Sequence, residues 1–334
     1  ENKKRDMSID IARGVAIILV VIGHLGINSY FWNLIYFFHM PLFFFISGCF
    51  FRPLQIFHLL TYIRKLRWNE LYKNFVLYSI LFLIISPLLC HYGISNSNIT
   101  SWGNFWSRII IILRFRTPTV DLLGQFWFLP VLFFVYAISL LFIKERNKYI
   151  FIFALGTYFI GKYCNNNGIN EPYDFSRILY YLGFYLFGFI LYPHRNLYVK
   201  NKKFIALFCI VLLLLFSTIP KDVFASEIYY LIVAFCGIFL TLIVSNILST
   251  NRISDMFCYI GKHTLDIFIF HTLVMKILEK CISNFGFMQS TLGWHGVMPE
   301  NKLWWLFSIF GIVMPLIVAF IYKRSMIYIL NIKR

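Results

Sequence analysis

Charged side chains are scarce in this sequence, and acidic ones are the scarcest. Only 13% of the 334 residues are charged, with 14 Asp and Glu against 31 Lys and Arg, whereas 60% are hydrophobic. Soluble domains carry about 25% charged residues and about 50% apolar ones. This composition, with a mean hydropathy of +0.72, excludes an ordinary soluble protein and indicates an integral membrane protein.

The sequence also lacks paired cysteines, internal repeats and low-complexity linkers. None of its seven cysteines forms a Cys-x-x-Cys motif, and most lie in or beside apolar stretches, where free thiols behave as small hydrophobic side chains. We therefore expect neither a disulfide framework nor a metal site. The first apolar stretch contains Arg13 and His24 and has no small-residue cleavage site, so we expect no cleavable signal peptide.

About ten stretches are apolar enough to be predicted as membrane-spanning helices, since a span needs about 20 mostly apolar residues. They follow one another too closely for a separate soluble core. We therefore predict one all-α, polytopic membrane domain over residues 1–334. The predicted spans are roughly 9–30, 31–51, 74–92, 124–143, 149–163, 176–193, 204–220, 227–248, 263–283 and 303–322.

The basic residues predict the orientation of these spans. They cluster in every second loop, as in the segment with Arg64, Lys65 and Arg67, so the positive-inside rule predicts that both termini are cytoplasmic. The net charge of +17 then reflects loops that contact anionic lipid and not a nucleic-acid binder. One stretch departs from the pattern: RIIIILRFR, residues 108–116, predicts a short amphipathic or re-entrant helix at the interface.

The first apolar stretch carries ionisable residues. Arg13 and His24 are eleven residues apart, about three helical turns, so both leave the same helix face about 16 Å apart along the axis. Asp10 precedes Arg13 by one turn, which predicts either an ion pair with it or a simple charge at the helix N-terminus. Ionisable residues inside a span are functional candidates by default.

Four motifs in order resemble membrane acyltransferase family 3, the polytopic O-acyltransferases that decorate bacterial surface glycans. They are Arg-x10-His in the first span, FFHMPLFFFISGCFFR at 37–52, QFWFLPVLF at 125–133 and GKHTLDIFIFH at 261–271. The resemblance implies an enzyme of the plasma (inner) membrane. It would move an acyl group, with acetyl favoured, from cytoplasmic acyl-CoA to a hydroxyl of a cell-surface glycan or its lipid-linked precursor. Because the chain ends soon after the tenth span, we expect the stand-alone type.

On this resemblance, His24 is expected to be the general base that takes the hydroxyl proton. A hydrogen-bonded interior histidine is the structural alternative. Arg13, supported by Asp10, is expected to bind donor phosphate, or else to snorkel towards the interface. Arg52 and Lys262, at the predicted cytoplasmic side, are further candidates for contact with acyl-CoA.

The acceptor candidates are Gln125, Trp127, His39 and His271. Gln125 and Trp127 begin the fourth span and would form either a wall of the acceptor site or an aromatic belt. His39 lies beside Pro41, where a kink is expected. His271 is a second intramembrane histidine and ranks below His24.

Two other functions stay open. A polysaccharide or lipid-linked glycan transporter or flippase would use the same Arg and His residues as a polar pathway. It would move unmodified glycan, whereas an acyltransferase needs coenzyme A and leaves an ester. A non-catalytic scaffold would tolerate the loss of Arg13 and His24.

Overall fold

The computed structural model describes residues 6–25, 27, 29–54, 58–95, 102–170, 173–218, 227–250, 252–284 and 303–332. These residues form α-helices joined by short turns, with no strand among them, which confirms the all-α class. The helices are α1 Met7–Gly23, α2 Ser29–Cys49, α3 Leu59–Lys65, α4 Lys73–His91, α5 Trp102–Leu113, α6 Phe128–Phe142, α7 Lys148–Asn166, α8 Phe175–Leu191, α9 Arg195–Lys200, α10 Lys202–Thr218, α11 Glu227–Leu248, α12 Ser254–Lys262, α13 Thr264–Asn284 and α14 Trp304–Ile332.

Each of the ten predicted spans contains a helix. Within the described residues, six helical segments are long and apolar enough to cross a membrane: Phe31–Cys49, Leu59–His91, Gly124–Phe142, Phe175–Leu197, Glu227–Leu248 and Trp304–Ile321. The other predicted spans correspond to α1 and α10, with 17 residues each, and to α7 and α13, which carry charged residues. The protein is thus a multi-pass membrane protein, and the total of ten spans stays a prediction.

The predicted first span is too long at its C-terminal end. Helix α1 ends at Gly23, and His24 caps it with its backbone N–H directed at the carbonyls of Val20 and Val21. Glycine is a poor helix former because it loses the most backbone freedom on folding. His24 therefore lies at the end of α1 and not within a helix that continues to Tyr30.

Short helices occupy several segments that were predicted as loops. The basic segment after α2 contains α3 and a π-helical turn, Trp68–Tyr72. Helix α12 occupies the segment before α13, and α13 itself matches the span predicted over 263–283 within one residue at each end. The predicted short helix near residues 108–116 is present as α5, which ends at Leu113.

The chain divides into two compact units. The first comprises Glu1–Met40, Lys202–Pro220 and Val233–Arg334, and the second comprises Pro41–Asn201 and Lys221–Ile232. In the first unit α1 packs against α12, α13 and α14, and α13 packs along α14. The boundary within α2 falls directly before Pro41. A single membrane domain without a soluble domain stays a prediction.

Glycines set the closest helix contacts in the second unit. A Cβ on Gly48 of α2 would overlap the backbone of Tyr185 in α8, and a Cβ on Gly188 would overlap the backbone of Phe45. Such reciprocal small residues allow two helix backbones to touch. Gly48 and Gly188 therefore allow the close approach of α2 and α8.

Candidate functional site

In the first unit, two of the predicted donor-binding residues lie where α1 crosses α12. A Cβ on Gly14 would overlap the carbonyl oxygen of Phe257, and a Cβ on Gly261 would overlap that of Asp10. The two backbones touch because both positions lack a side chain. Since Arg13 and Lys262 are the neighbours of these glycines in sequence, one crossing carries both cations.

Asp10 and Arg13 form the ion pair predicted from their spacing. Asp10 Oδ1 lies 3.6 Å from Arg13 Nη1, and the Asp10 residue is only 4% exposed. The Arg13 side chain keeps 33% of its surface exposed. A buried carboxylate thus holds one side of a guanidinium that still has accessible donors, which suits an arginine that binds an anion.

A second acidic–basic pair lies at the start of α13. His263 Nδ1 is 2.9 Å from Asp266 Oδ2, one helical turn away. The His263 ring also contacts Tyr259 of α12, with ring centroids 4.6 Å apart. These contacts fix the junction between α12 and α13 beside Lys262.

At the far end of α1 the structure brings two predicted histidines together. The His24 and His271 ring centroids are 5.2 Å apart, with 42° between the ring planes. His271 is fully buried in α13, and its Nδ1 lies 3.0 Å from the carbonyl oxygen of Ile267 and 2.9 Å from that of Phe268. His271 therefore lies beside His24. The sequence ranked His271 below His24 and did not predict this contact.

His39 is a second buried histidine of the same unit. It is 5% exposed, and its Nδ1 lies 2.8 Å from the carbonyl oxygen of Ile35. Because a carbonyl only accepts hydrogen bonds, Nδ1 of His39 carries a proton. The Tyr36 ring meets it edge-on, with ring centroids 4.9 Å apart.

Arg52, Gln125 and Trp127 belong to the second unit. Arg52 is exposed after the end of α2, and Gln125 is buried in the 3₁₀ turn Gly124–Trp127. Trp127 is half-buried and stacks on Tyr181 of α8 with ring centroids 5.5 Å apart. The guanidinium of Arg177 lies 5.0 Å from the Trp127 ring centroid. The Trp127 ring is thus held by α8 at the entrance to α6.

A comparison with protein families decides which family this chain represents. A family model described as an acyltransferase domain matches residues 6–324, nearly the whole chain. The chain belongs to acyltransferase family 3. No curated protein and no solved structure matches it. Family membership makes this protein a membrane acyltransferase, in agreement with the resemblance carried by the four motifs.

One ionisable residue of this family 3 protein was overlooked in the sequence analysis. Lys276 lies in α13, five residues after His271, and is only 8% exposed. The rule that singled out His24, an ionisable residue inside a predicted span, applies equally to it. Among the residues that the structure describes, no group of three His, Cys, Asp or Glu side chains is placed to hold a metal ion.

Proposed function

We propose that this acyltransferase moves an acetyl group from cytoplasmic acetyl-CoA to a hydroxyl of a cell-surface glycan or its lipid-linked precursor in the plasma membrane. The observation that carries the proposal is the arrangement along α1. The buried Asp10 holds the half-buried Arg13 at one end of this helix, and His24 caps the other. An anion-binding cation and a proton acceptor thus share one rigid helix.

The donor fits this arrangement in charge and in length. The phosphates of coenzyme A would bind Arg13, whose guanidinium offers two parallel donors, with Lys262 from the same crossing as a further contact. Arg52 belongs to the second unit, and its contact with acyl-CoA stays a prediction. An extended pantetheine arm is about 15–20 Å long by extended-chain geometry. Arg13 and His24 are separated by about 16 Å along the axis, so the thioester of a donor bound at Arg13 would reach His24.

His24 would act as the general base. The acceptor oxygen attacks the thioester carbonyl carbon as His24 takes the hydroxyl proton. The tetrahedral intermediate collapses, the carbon–sulfur bond breaks, and the proton on His24 passes to the leaving sulfur, which departs as the free thiol. No covalent acyl-enzyme is needed, since the acceptor attacks the donor directly.

The acceptor would bind at Gln125 and Trp127 of the second unit. The acceptor role of His39, which belongs to the first unit, stays a prediction. Trp127 is a flat apolar ring fixed by Tyr181, and aromatic faces of this kind suit the apolar faces of sugar rings. The orientation with cytoplasmic termini, inferred from the basic loops, would let the donor enter from the cytoplasm and the acceptor from the outer side of the membrane.

The test compares wild type, His24→Ala and Arg13→Ala in nanodiscs, with acetyl-CoA binding and turnover measured for each. We expect His24→Ala to bind acetyl-CoA normally while kcat falls by about 10²–10⁴-fold, the contribution of a general base. Arg13→Ala should raise the Kd for acetyl-CoA by about tenfold or more, because a hydrogen bond to a charged group contributes about 1.5–3 kcal/mol. His58→Ala and Arg114→Ala, at exposed positions, are the matched controls.

Two outcomes would refute the proposal. If wild type neither binds nor consumes any acyl-CoA, the donor assignment fails. If intact cells export glycan without an added ester, and His24→Ala blocks that export, the residues form a transport path instead.

A further inference from the structure

The two ring nitrogens of His271 have different surroundings. Its Nδ1 faces two backbone carbonyls of its own helix, those of Ile267 and Phe268. A carbonyl oxygen has no proton to donate, so Nδ1 must carry the hydrogen. A neutral imidazole has a single N–H, which leaves a lone pair on Nε2.

That lone pair has no hydrogen-bond donor among the described residues. His271 is fully buried, and its Nε2 is one of the few buried side-chain atoms that the described part of the chain leaves unsatisfied. Buried polar atoms are almost always paired, so such an exception calls for an explanation such as a catalytic role.

The His24 ring lies beside the His271 ring. The ring centroids are 5.2 Å apart, a separation at which a nitrogen of one ring can lie about 3 Å from a nitrogen of the other, the length of a hydrogen bond. Helix α1 packs against α13, so both rings project from helices of one compact unit.

We propose that His271 is a positioning residue whose Nε2 accepts the N–H of His24 during acyl transfer. This inference rests on the proposed role of His24 as the base. The ring nitrogen of His24 that takes the substrate proton must start unprotonated, so the other nitrogen must carry the hydrogen. Acceptance by His271 selects this tautomer and orients the ring, as a buried carboxylate does for the histidine of a catalytic triad. His271 itself gains and loses no proton.

Two substitutions separate this role from simple packing. His271→Asn keeps an N–H donor near the position of Nδ1 but has no atom at Nε2, whereas His271→Gln carries an amide oxygen to about that position. Met275→Leu, one turn further along α13 at a buried residue, is the packing control. The full-length protein in nanodiscs is assayed for acetyl-CoA binding, for kcat, and for KM with donor and acceptor.

We expect His271→Asn to lower kcat by at least 100-fold while acetyl-CoA binding stays within twofold of wild type. The kcat of His271→Gln should be at least tenfold higher than that of His271→Asn, and the kcat of Met275→Leu should equal that of wild type. Acetyl-CoA binding by each variant shows that it is folded, so a loss of kcat alone is not a folding defect.

The inference is overturned if His271→Asn keeps more than half of the wild-type kcat, or if Asn and Gln are equally inactive. A raised acceptor KM with unchanged kcat would also overturn it, since His271 would then bind substrate. If His24→Ala proves fully active, the proposed role of His24 as the base is wrong, and the inference about His271 is wrong with it. If His24→Ala is inactive and His271→Asn is active, only the present inference fails.

Discussion

Gly14 of α1 and Gly261 of α12 pack backbone against backbone. A Cβ built on Gly261 would stand 3.1 Å from the Gly14 nitrogen and would overlap the carbonyl oxygen of Asp10. The same Asp10 holds Arg13 through its carboxylate. The packing of α1 against α12 and the position of Arg13, the proposed donor-binding side chain, therefore depend on the same Gly14–Gly261 contact.

Gly261→Ala is expected to lower both stability and donor affinity. Its Cβ must push α12 away from α1, and overpacking of this kind costs about 1–3 kcal/mol. The control is Gly156→Ala in α7, where an added Cβ meets nothing within 4 Å and higher helix propensity adds up to about 1 kcal/mol. Melting temperature and acetyl-CoA binding are measured in detergent. Equal melting temperatures for the two variants would show that the crossing tolerates a side chain.

Asp10→Asn is expected to weaken acetyl-CoA binding about tenfold, equivalent to about 1.4 kcal/mol, because the Arg13 guanidinium loses its buried carboxylate. The control is Glu70→Gln, which removes the carboxylate paired with Arg67 at a similar spacing on an exposed surface. Exposed pairs contribute about 0–1 kcal/mol, so this variant should bind the donor as wild type does. Normal donor binding by Asp10→Asn would exclude a supporting role for Asp10.

Lys162 and Glu227 form a half-buried pair in the second unit. Lys162 Nζ lies 3.6 Å from Glu227 Oε2 and 4.0 Å from the centroid of the Tyr230 ring. Lys162→Met or Glu227→Gln alone should lower the melting temperature, because each leaves a partly desolvated charge without its ionic partner. The double variant should lose less than the sum of the two. Additive losses in this double-mutant cycle would mean that the pair contributes nothing.

Trp127→Ala is expected to raise the acceptor KM by about 2–10-fold, the range set by an aromatic contact of about 0.5–1.5 kcal/mol, with acetyl-CoA binding unchanged. Trp127→Phe should lie between this variant and wild type, since it keeps an aromatic face. Trp106→Ala removes an exposed tryptophan of α5 as the control. If Trp127→Ala alters only acetyl-CoA binding and leaves the acceptor KM unchanged, Trp127 does not contact the acceptor.

The orientation is testable by labelling single cysteines in a cysteine-free background with a membrane-impermeant maleimide. Gly168 follows α7 and Asn201 lies between α9 and α10, and both are exposed. With both termini cytoplasmic, Gly168→Cys should react in intact cells, and Asn201→Cys only after permeabilisation. The reverse pattern would invert the topology.

The sequence by itself determined the membrane class and most helices of this protein. Hydropathy is a local property summed over about 20 residues, so the stretch 227–248 was predicted at the bounds at which α11 is observed. The Asp10–Arg13 pair was equally predictable, because i, i+3 neighbours on a helix meet whatever surrounds them. Four motifs in order sufficed to indicate the family.

Only the tertiary structure decided which distant residues meet. The contact of His24 with His271 and that of Gly14 with Gly261 join segments from opposite ends of the chain, and no local periodicity encodes such partners. The end of α1 at Gly23 was missed because an apolar stretch continues past it, while the backbone does not remain helical. Hydrophobicity selects the residues that enter the membrane, but side-chain volume and backbone approach select their neighbours.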